Sequence, residues 1–193
     1  MGKLTFILGG ARSGKSQLAQ QLAMERGGKV LFIATAQALD EEMRQRIQIH
    51  QQQRPDGWVT LEAPQAIVQS IPDDLSSIQL VLLDCMTLLV SNILLSLGDD
   101  NNIDEKRATQ AVDQEVASIL QWVEEHPLDW IIVSNEVGLG LVPPYPLGRM
   151  YRDVLGRVNQ KIAQRAQEVF FMLAGIALPI HALKDVLSLH SDS

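Results

Sequence analysis

The sequence predicts an α/β fold in which a mostly parallel β-sheet is covered by helices on both faces. Two observations lead to this prediction. Short apolar runs alternate along the chain with longer segments in which apolar residues recur every three or four positions. The first apolar run also leads directly into GGARSGKS, which meets the spacing G-x-x-x-x-G-K-S between a predicted strand and a predicted helix. Together they indicate a P-loop NTPase-like (RecA-like) architecture.

Each predicted element rests on an apolar pattern and on the residues that end it. Buried strands are predicted at 4–8, 30–34, 80–83, 130–133 and 169–173, and a short strand is predicted at 58–61 after the turn at 55–57. Helices are predicted from Lys15 to a stop at Gly27, and at 40–53, 87–97, 104–125 and 149–167. The segment 136–148, which is rich in glycine and proline, is predicted to be an ordered surface loop.

Length and composition are those of a soluble globular domain. The chain has 193 residues, and we predict a single nucleotide-binding domain over 1–193 with a peripheral tail from about 179. A net charge of −7 disfavours a protein that binds nucleic acid by neutralising many phosphates. The single cysteine favours a reducing cytoplasm, and charged or polar residues interrupt every long apolar run, so no membrane anchor is expected.

The glycine-rich segment has the residue types that a triphosphate requires. Its glycines let backbone N–H groups surround the phosphates, and the helix N-terminus adds positive potential. Lys15 can reach the outer phosphates, and Ser16 can coordinate magnesium. The predicted nucleotide contacts are Gly9, Gly10, Ala11, Arg12, Ser13, Gly14, Lys15 and Ser16. The alternative is a glycine turn that merely precedes a helix. A dinucleotide-binding G-x-G-x-x-G motif is disfavoured, because Ala11 stands where the second glycine is needed.

A carboxylate at the end of a neighbouring strand would complete a magnesium site. Asp84 follows the apolar run 80–83 and is the first candidate, with Ser16 as the second protein ligand. Asp84 could instead cap the helix that begins near Met86. Glu136, which follows the strand at 130–133, is a weaker candidate for the same role.

His50 is the histidine whose surroundings suit phosphate chemistry. It lies near the end of a polar helix, with Arg46 one turn earlier and Arg54 four residues later. A neutral imidazole can attack phosphorus and divide one transfer into two steps. The alternative, which the residues alone favour, is a surface histidine on a charged helix.

Five segments together resemble the bifunctional adenosylcobinamide kinase/adenosylcobinamide-phosphate guanylyltransferase family. They are GGARSGKS, IATAQALDEEMRQRIQIHQQQRP, LLDCMTLLVSN, VSNEVGLGLVP and GRVNQ, and the likeness runs from about residue 4 to residue 176. The resemblance implies that ATP or GTP phosphorylates the aminopropanol hydroxyl of adenosylcobinamide. GMP would then pass from GTP through a histidine to that phosphate, giving adenosylcobinamide-GDP and pyrophosphate. The histidine at the matching position is His50.

The resemblance also implies nucleotide contacts outside the glycine-rich segment. These are Thr35, Ala36, Gln37, Gln51, Gln52, Gln53, Arg54, Glu62 and Asp84. The chain departs from the family pattern at two positions. Ile49 precedes His50 where the family often has a second histidine, and Asp84 replaces what is often a glutamate.

Two further family-like segments have more than one possible role. Segments 135–144 and 149–159 could contact the corrinoid or a neighbouring subunit, or could serve only the fold. The resemblance implies a homo-oligomer such as a trimer. Two other functions stay open: a small-molecule kinase that leaves His50 idle, and a nucleotide-sensing protein in which the P-loop controls association.

Overall fold

The computed structural model describes residues 2–38, 41–52, 54–99 and 102–180, without the side chains at positions 42, 43, 46 and 50. The strands are β1 (Leu4–Gly9), β2 (Lys29–Ala34), β3 (Val59–Glu62), β4 (Ile78–Asp84), β5 (Asp129–Asn135), β6 (Glu168–Leu173) and β7 (Ile176–Pro179). The helices are α1 (Lys15–Arg26), α2 (Glu41–Gln52), α3 (Ile67–Ser70), α4 (Met86–Leu97), α5 (Glu105–Glu125) and α6 (Pro146–Arg165).

The strands form one sheet in the order β3-β2-β4-β5-β1-β6-β7. Every neighbouring pair is parallel except β6 and β7, which are antiparallel. The carboxyl ends of β1, β2, β4 and β5 therefore meet at one edge of the sheet, where ligands bind in open α/β folds. The predicted mostly parallel sheet is confirmed.

Helices cover both faces of this sheet. Ala19 and Ala23 of α1 pack on one face, against Ile7 and Phe32. Buried residues of α4, α5 and α6 pack on the other face, where Phe6 is fully buried. Because both faces are covered, the central strands are almost continuously apolar, as parallel strands buried on two sides require. Among the described residues, no helix combines the length and the apolar character needed to cross a membrane.

Three differences from the predicted elements arise from tertiary packing. The short helix α3 and the edge strand β7 were not predicted, because each has only four residues and shows no clear periodicity. Helix α6 begins at Pro146, so the prediction of a loop through Gly148 is wrong for its last residues. Proline is well suited to the first turn of a helix, where its missing N–H has no partner to lose. Residues 181–193 of the predicted tail lie outside the described residues.

A charged cluster joins three strands at the opposite edge of the sheet. The Arg26 guanidinium donates to Thr5 Oγ1 at 2.6 Å and to Glu168 Oε2 at 3.0 Å, and lies 3.5 Å from the Asp129 carboxylate. Lys3 Nζ lies 2.8 Å from Glu168 Oε1. Burial opposes ionisation of Glu168, but hydrogen bonds from Lys3 and Thr5 and the charges of Lys3 and Arg26 lower its pKa overall. The cluster thus links β1, β5 and β6 through the end of α1.

Replacing Arg26 with alanine is expected to destabilise the protein by about 1–3 kcal/mol, because Glu168 and Thr5 lose a shared donor in a partly buried site. Urea unfolding measures the change. Arg44→Ala is the matched control, since Arg44 pairs with Glu41 on an exposed surface and should contribute about 0.5 kcal/mol or less. Equal losses in the two variants would contradict the structural role of Arg26.

Candidate active site

The glycine-rich segment connects the end of β1 to the start of α1. Gly14 has φ 94°, in the left-handed region that favours glycine, and it occupies the N-cap of α1. A glycine brings no side chain to cap the first turn, so the N–H groups there stay available for an anion. Gly9 is needed for a different reason, because an added Cβ would lie 2.5 Å from the Met172 carbonyl oxygen. The local geometry is therefore that of a phosphate-binding loop.

Lys15 is held inside this loop. Its side chain is largely buried, and Nζ donates to the Gly10 carbonyl oxygen at 2.6 Å. Burial lowers the Lys15 pKa, while negative charge at Cys85 and Asp84 would raise it. Burial and the Asp84 charge raise the pKa of the half-buried Cys85 thiol to about 11, so Cys85 is neutral at pH 7. At that pH Asp84 is therefore the charge that favours the ammonium form of Lys15.

The β6–β7 hairpin supports the loop from outside. The Gly175 N–H donates to the Ser13 carbonyl oxygen at 3.2 Å, and Met172 packs against Gly9. The Ser13 hydroxyl is buried and has no hydrogen-bond partner in the part of the chain that the structure describes. A phosphate oxygen in the loop would give that hydroxyl an acceptor. Sequence reasoning missed the hairpin contact, because no local pattern links residues so far apart in the chain.

Thr35 joins the ends of β2 and β4. It is fully buried, and its hydroxyl accepts from the Cys85 N–H and donates to the Cys85 carbonyl, both at 2.8 Å. Its own carbonyl accepts from Asn92 Nδ2 at 2.8 Å. In the structure Thr35 thus fixes the positions of the two strand ends, and its contact with a nucleotide stays a prediction.

A cavity of about 610 Å³ opens at the carboxyl edge of the sheet. Among the predicted site residues it brings together Ser16, Ala36, Gln37, Arg54, Glu62 and Asp84. Sequence reasoning did not single out several other lining residues, which are Phe32, Ala34, Ala38, Ile47, Pro64, Cys85, Thr87, Leu88 and Asn135. The volume lies in the range of small-molecule sites.

Ser16 and Asp84 fit a magnesium site at this cavity. They supply a hydroxyl and a carboxylate oxygen, which are the ligand types that Mg²⁺ prefers. In the described part of the chain, no group of three or more His, Cys, Asp or Glu side chains could hold a metal. A cation here would depend on phosphate oxygens and water for its other ligands, as Mg²⁺ usually does. The alternative prediction, that Asp84 caps the helix that begins near Met86, is wrong, because the N-cap of α4 is Cys85.

The second acidic candidate lies elsewhere. Glu136 is not among the residues that line the cavity, and its carboxylate accepts from the Gly138 N–H. It therefore orders the turn that follows β5.

Arg54 places a positive charge against the apolar wall of the cavity. Its guanidinium carbon lies 3.9 Å from the centre of the Phe32 ring, and Nη1 donates to Thr60 Oγ1 at 3.0 Å. The Trp58 ring stacks with the Phe32 ring, and the two ring centres are 6.3 Å apart. Burial lowers the Arg54 pKa, and the charges of Asp84 and Glu62 oppose that effect. A planar cation held in this way is suited to a phosphate.

Helix α2 borders the cavity. Ile47 lines the cavity, and Gln51 Nε2 donates to Glu62 Oε1 at 3.1 Å. His50 lies in this helix, three residues after Ile47 and next to Gln51, and its side chain is outside the described part of the structure. Gln52 is exposed, and Gln53 lies outside the described residues.

Comparison with known proteins identifies the family. Residues 5–180 match the family described as cobinamide kinase/cobinamide phosphate guanyltransferase. The chain belongs to this family. The resemblance seen in the sequence is therefore confirmed, and this member of the family carries the strand order and cavity described above.

Relatives from three bacteria match over most of their length. Proteins named bifunctional adenosylcobalamin biosynthesis protein are 41% identical in Escherichia coli K12 and 39% identical in Salmonella typhimurium LT2, each over 92% of this chain and 99% of the relative. One from Pseudomonas aeruginosa is 44% identical over 91% of this chain and 95% of the relative. Among solved structures, the RadB recombinase aligns with a TM-score of 0.48 and 16% identity, covering 88% of this chain and 74% of RadB.

Proposed function

We propose that the chain phosphorylates the aminopropanol hydroxyl of adenosylcobinamide with ATP or GTP, and then transfers GMP from GTP to the new phosphate. The observation that carries the proposal is the shared cavity. It is lined by Ser16 of the phosphate loop, Asp84 at the end of β4, and Ile47 of the helix that contains His50. One triphosphate bound in this cavity would therefore lie close both to the phosphate loop and to the helix that contains His50.

In the kinase step, the phosphate loop presents the γ-phosphoryl group to the substrate hydroxyl. A bond forms between that oxygen and Pγ, the bond from Pγ to the bridging oxygen breaks, and a nucleoside diphosphate leaves with its electron pair. Lys15 stabilises charge that develops on the phosphate oxygens, because its ammonium group is held in the loop beside the Gly10 carbonyl. The hydroxyl proton passes to solvent.

In the guanylyl-transfer step, His50 acts as the nucleophile. Its ring nitrogen forms a bond with Pα of GTP while the bond from Pα to the bridging oxygen breaks, and pyrophosphate leaves. An oxygen of adenosylcobinamide phosphate then attacks the same phosphorus, and the phosphorus–nitrogen bond breaks. Arg54 and the loop would stabilise the phosphate charges in both halves of this exchange.

Magnesium is the expected cofactor for both steps. Ser16 and Asp84 would hold it, and when bound it neutralises phosphate charge. The nucleotide contacts proposed beyond the loop are Thr35, Ala36, Gln37, Gln51, Gln52, Gln53, Arg54, Glu62 and Asp84.

We further propose that the chain acts as one nucleotide-binding domain, in the cytoplasm, as a homo-oligomer such as a trimer.

The two activities can be tested by adding the substrates in order. Adenosylcobinamide with γ-labelled ATP should first give labelled adenosylcobinamide phosphate. Later addition of unlabelled GTP should convert it into adenosylcobinamide-GDP with release of pyrophosphate, as followed by chromatography. A reaction that stops at the phosphate would indicate a kinase without guanylyl transfer. Nucleotide binding without either product would indicate a nucleotide-sensing protein and would contradict the proposal.

A further inference from the structure

We propose that Asn135 is a catalytic residue of the kinase step, and that its side-chain amide donates to the γ-phosphoryl group seated in the phosphate loop. The inference deepens the proposed function and rests on it for the reaction, although one of its two tests needs only nucleotide binding. Asn135 was not among the nucleotide-binding residues predicted from the sequence.

The position of Asn135 in the sheet is the first argument. It is the last residue of β5, the strand that lies between β1 and β4. Its Cα is in register with Gly9, where the phosphate loop begins, and neighbouring strands lie about 4.8 Å apart. Asn135 also lines the same cavity as Ser16 and Asp84. A bound terminal phosphate would thus lie within reach of its side chain.

The second argument is the way the backbone of Asn135 is fixed. Its N–H donates to Thr87 Oγ1 at 2.8 Å, and its carbonyl accepts from Asn159 Nδ2 at 3.0 Å. The next residue, Glu136, donates its N–H to the Gly9 carbonyl at 3.0 Å. Asn159 is almost fully buried, so this support is rigid. These contacts use the backbone groups of Asn135, and its half-buried side chain is left at the cavity wall.

The chemistry of the side chain is the third argument. A neutral amide supplies two N–H donors and no negative charge, which suits a phosphate that is gaining charge in the transition state. Strand β5 is two strands away from β2, after which the chain runs into α2, so the two strand ends are about 10 Å apart. Asn135 therefore lies beside the start of the phosphate loop, two strands away from the end of β2.

Two variants of Asn135 separate a phosphate contact from a structural role. Asn135→Ala should lower kcat of the kinase reaction on the order of 100-fold, with a change below about tenfold in the rate of GMP-adduct formation. Asn135→Asp keeps the shape but adds a charge that repels phosphate, so it should be the more damaging variant. Gln110→Ala, which removes an exposed amide on α5, is the control. An aspartate variant that is milder than the alanine variant, or equal losses in both reactions, would overturn the inference.

Nucleotide binding gives a second readout that does not depend on the corrinoid reaction. A contact with the γ-phosphate should make GTP bind more tightly than GDP. Asn135→Ala should therefore reduce the ratio of Kd for GDP to Kd for GTP by about tenfold. Calorimetry with magnesium and each nucleotide measures this ratio. An unchanged ratio would overturn the inference even if the chain proved to be a different enzyme, whereas failure of the proposed function would appear as missing products in the unsubstituted protein.

Discussion

Lys15→Ala is expected to reduce kcat/KM of both half-reactions by about 10²- to 10³-fold, because both require the triphosphate to be seated in the loop. The side chain is nearly buried and donates to the Gly10 carbonyl, so the ammonium group is held within the loop. A fixed charge stabilises the transition state without the cost of ordering a flexible side chain. Steady-state kinetics of phosphate and GMP transfer measure the two effects separately.

A matched lysine substitution makes this test specific. Lys29 is exposed at the amino end of β2, and its contact with Gln79 is made by the backbone N–H, which alanine keeps. Lys29→Ala should therefore leave both rates within about twofold of the unsubstituted protein, in line with ordinary surface substitutions. Full GTP affinity and turnover in Lys15→Ala would contradict the assignment of the phosphate loop.

His50→Ala is expected to abolish the covalent GMP adduct while the kinase reaction continues. Incubation with GTP labelled at the α-phosphate should label the unsubstituted protein, and the label should be lost in acid and retained in alkali, as for a phosphorus–nitrogen bond. The substitution removes the nucleophile but leaves the loop, Ser16 and Asp84 in place. Adenosylcobinamide phosphate should therefore accumulate without conversion to adenosylcobinamide-GDP.

His126→Ala provides the control for this experiment. His126 follows α5, where it stacks on Trp122 with the ring centres 3.7 Å apart, and it is not among the residues that line the cavity. That variant should retain the labelled adduct. An adduct of undiminished yield in His50→Ala would remove His50 from the mechanism and would leave the kinase assignment standing.

Much of the site could be predicted because its parts are local in the sequence. The glycine spacing specifies a loop that only one backbone path can form, and Asp84 stands at the end of an apolar run of strand length. The parallel sheet then brings Ser16 and Asp84 to one cavity. Patterns of this kind are visible in a single sequence because their physical cause lies within a few residues.

Other parts of the site depend on neighbours that are distant along the chain. The hydrogen bond from Gly175 to Ser13 joins the last hairpin to the first loop, and no periodicity in the sequence predicts it. The sequence indicated Asn135 only as part of a segment that could contact the corrinoid or a neighbouring subunit, because a place beside the phosphate loop follows from the strand order that puts β5 beside β1. Likewise the position of Arg54 over Phe32 requires that α2 and β2 be already packed. Such contacts become visible only when the topology is known.

The position of β1 between β5 and β6 means that the strand before the phosphate loop depends on partners made late in synthesis. Both neighbours of β1 come from the second half of the chain. The first strand therefore pairs only with residues more than a hundred positions away. During synthesis, the phosphate loop is made before both of the strands that flank β1. Cellular GTP and ATP would then favour only the finished chain, because ligands that bind the native state add to its stability.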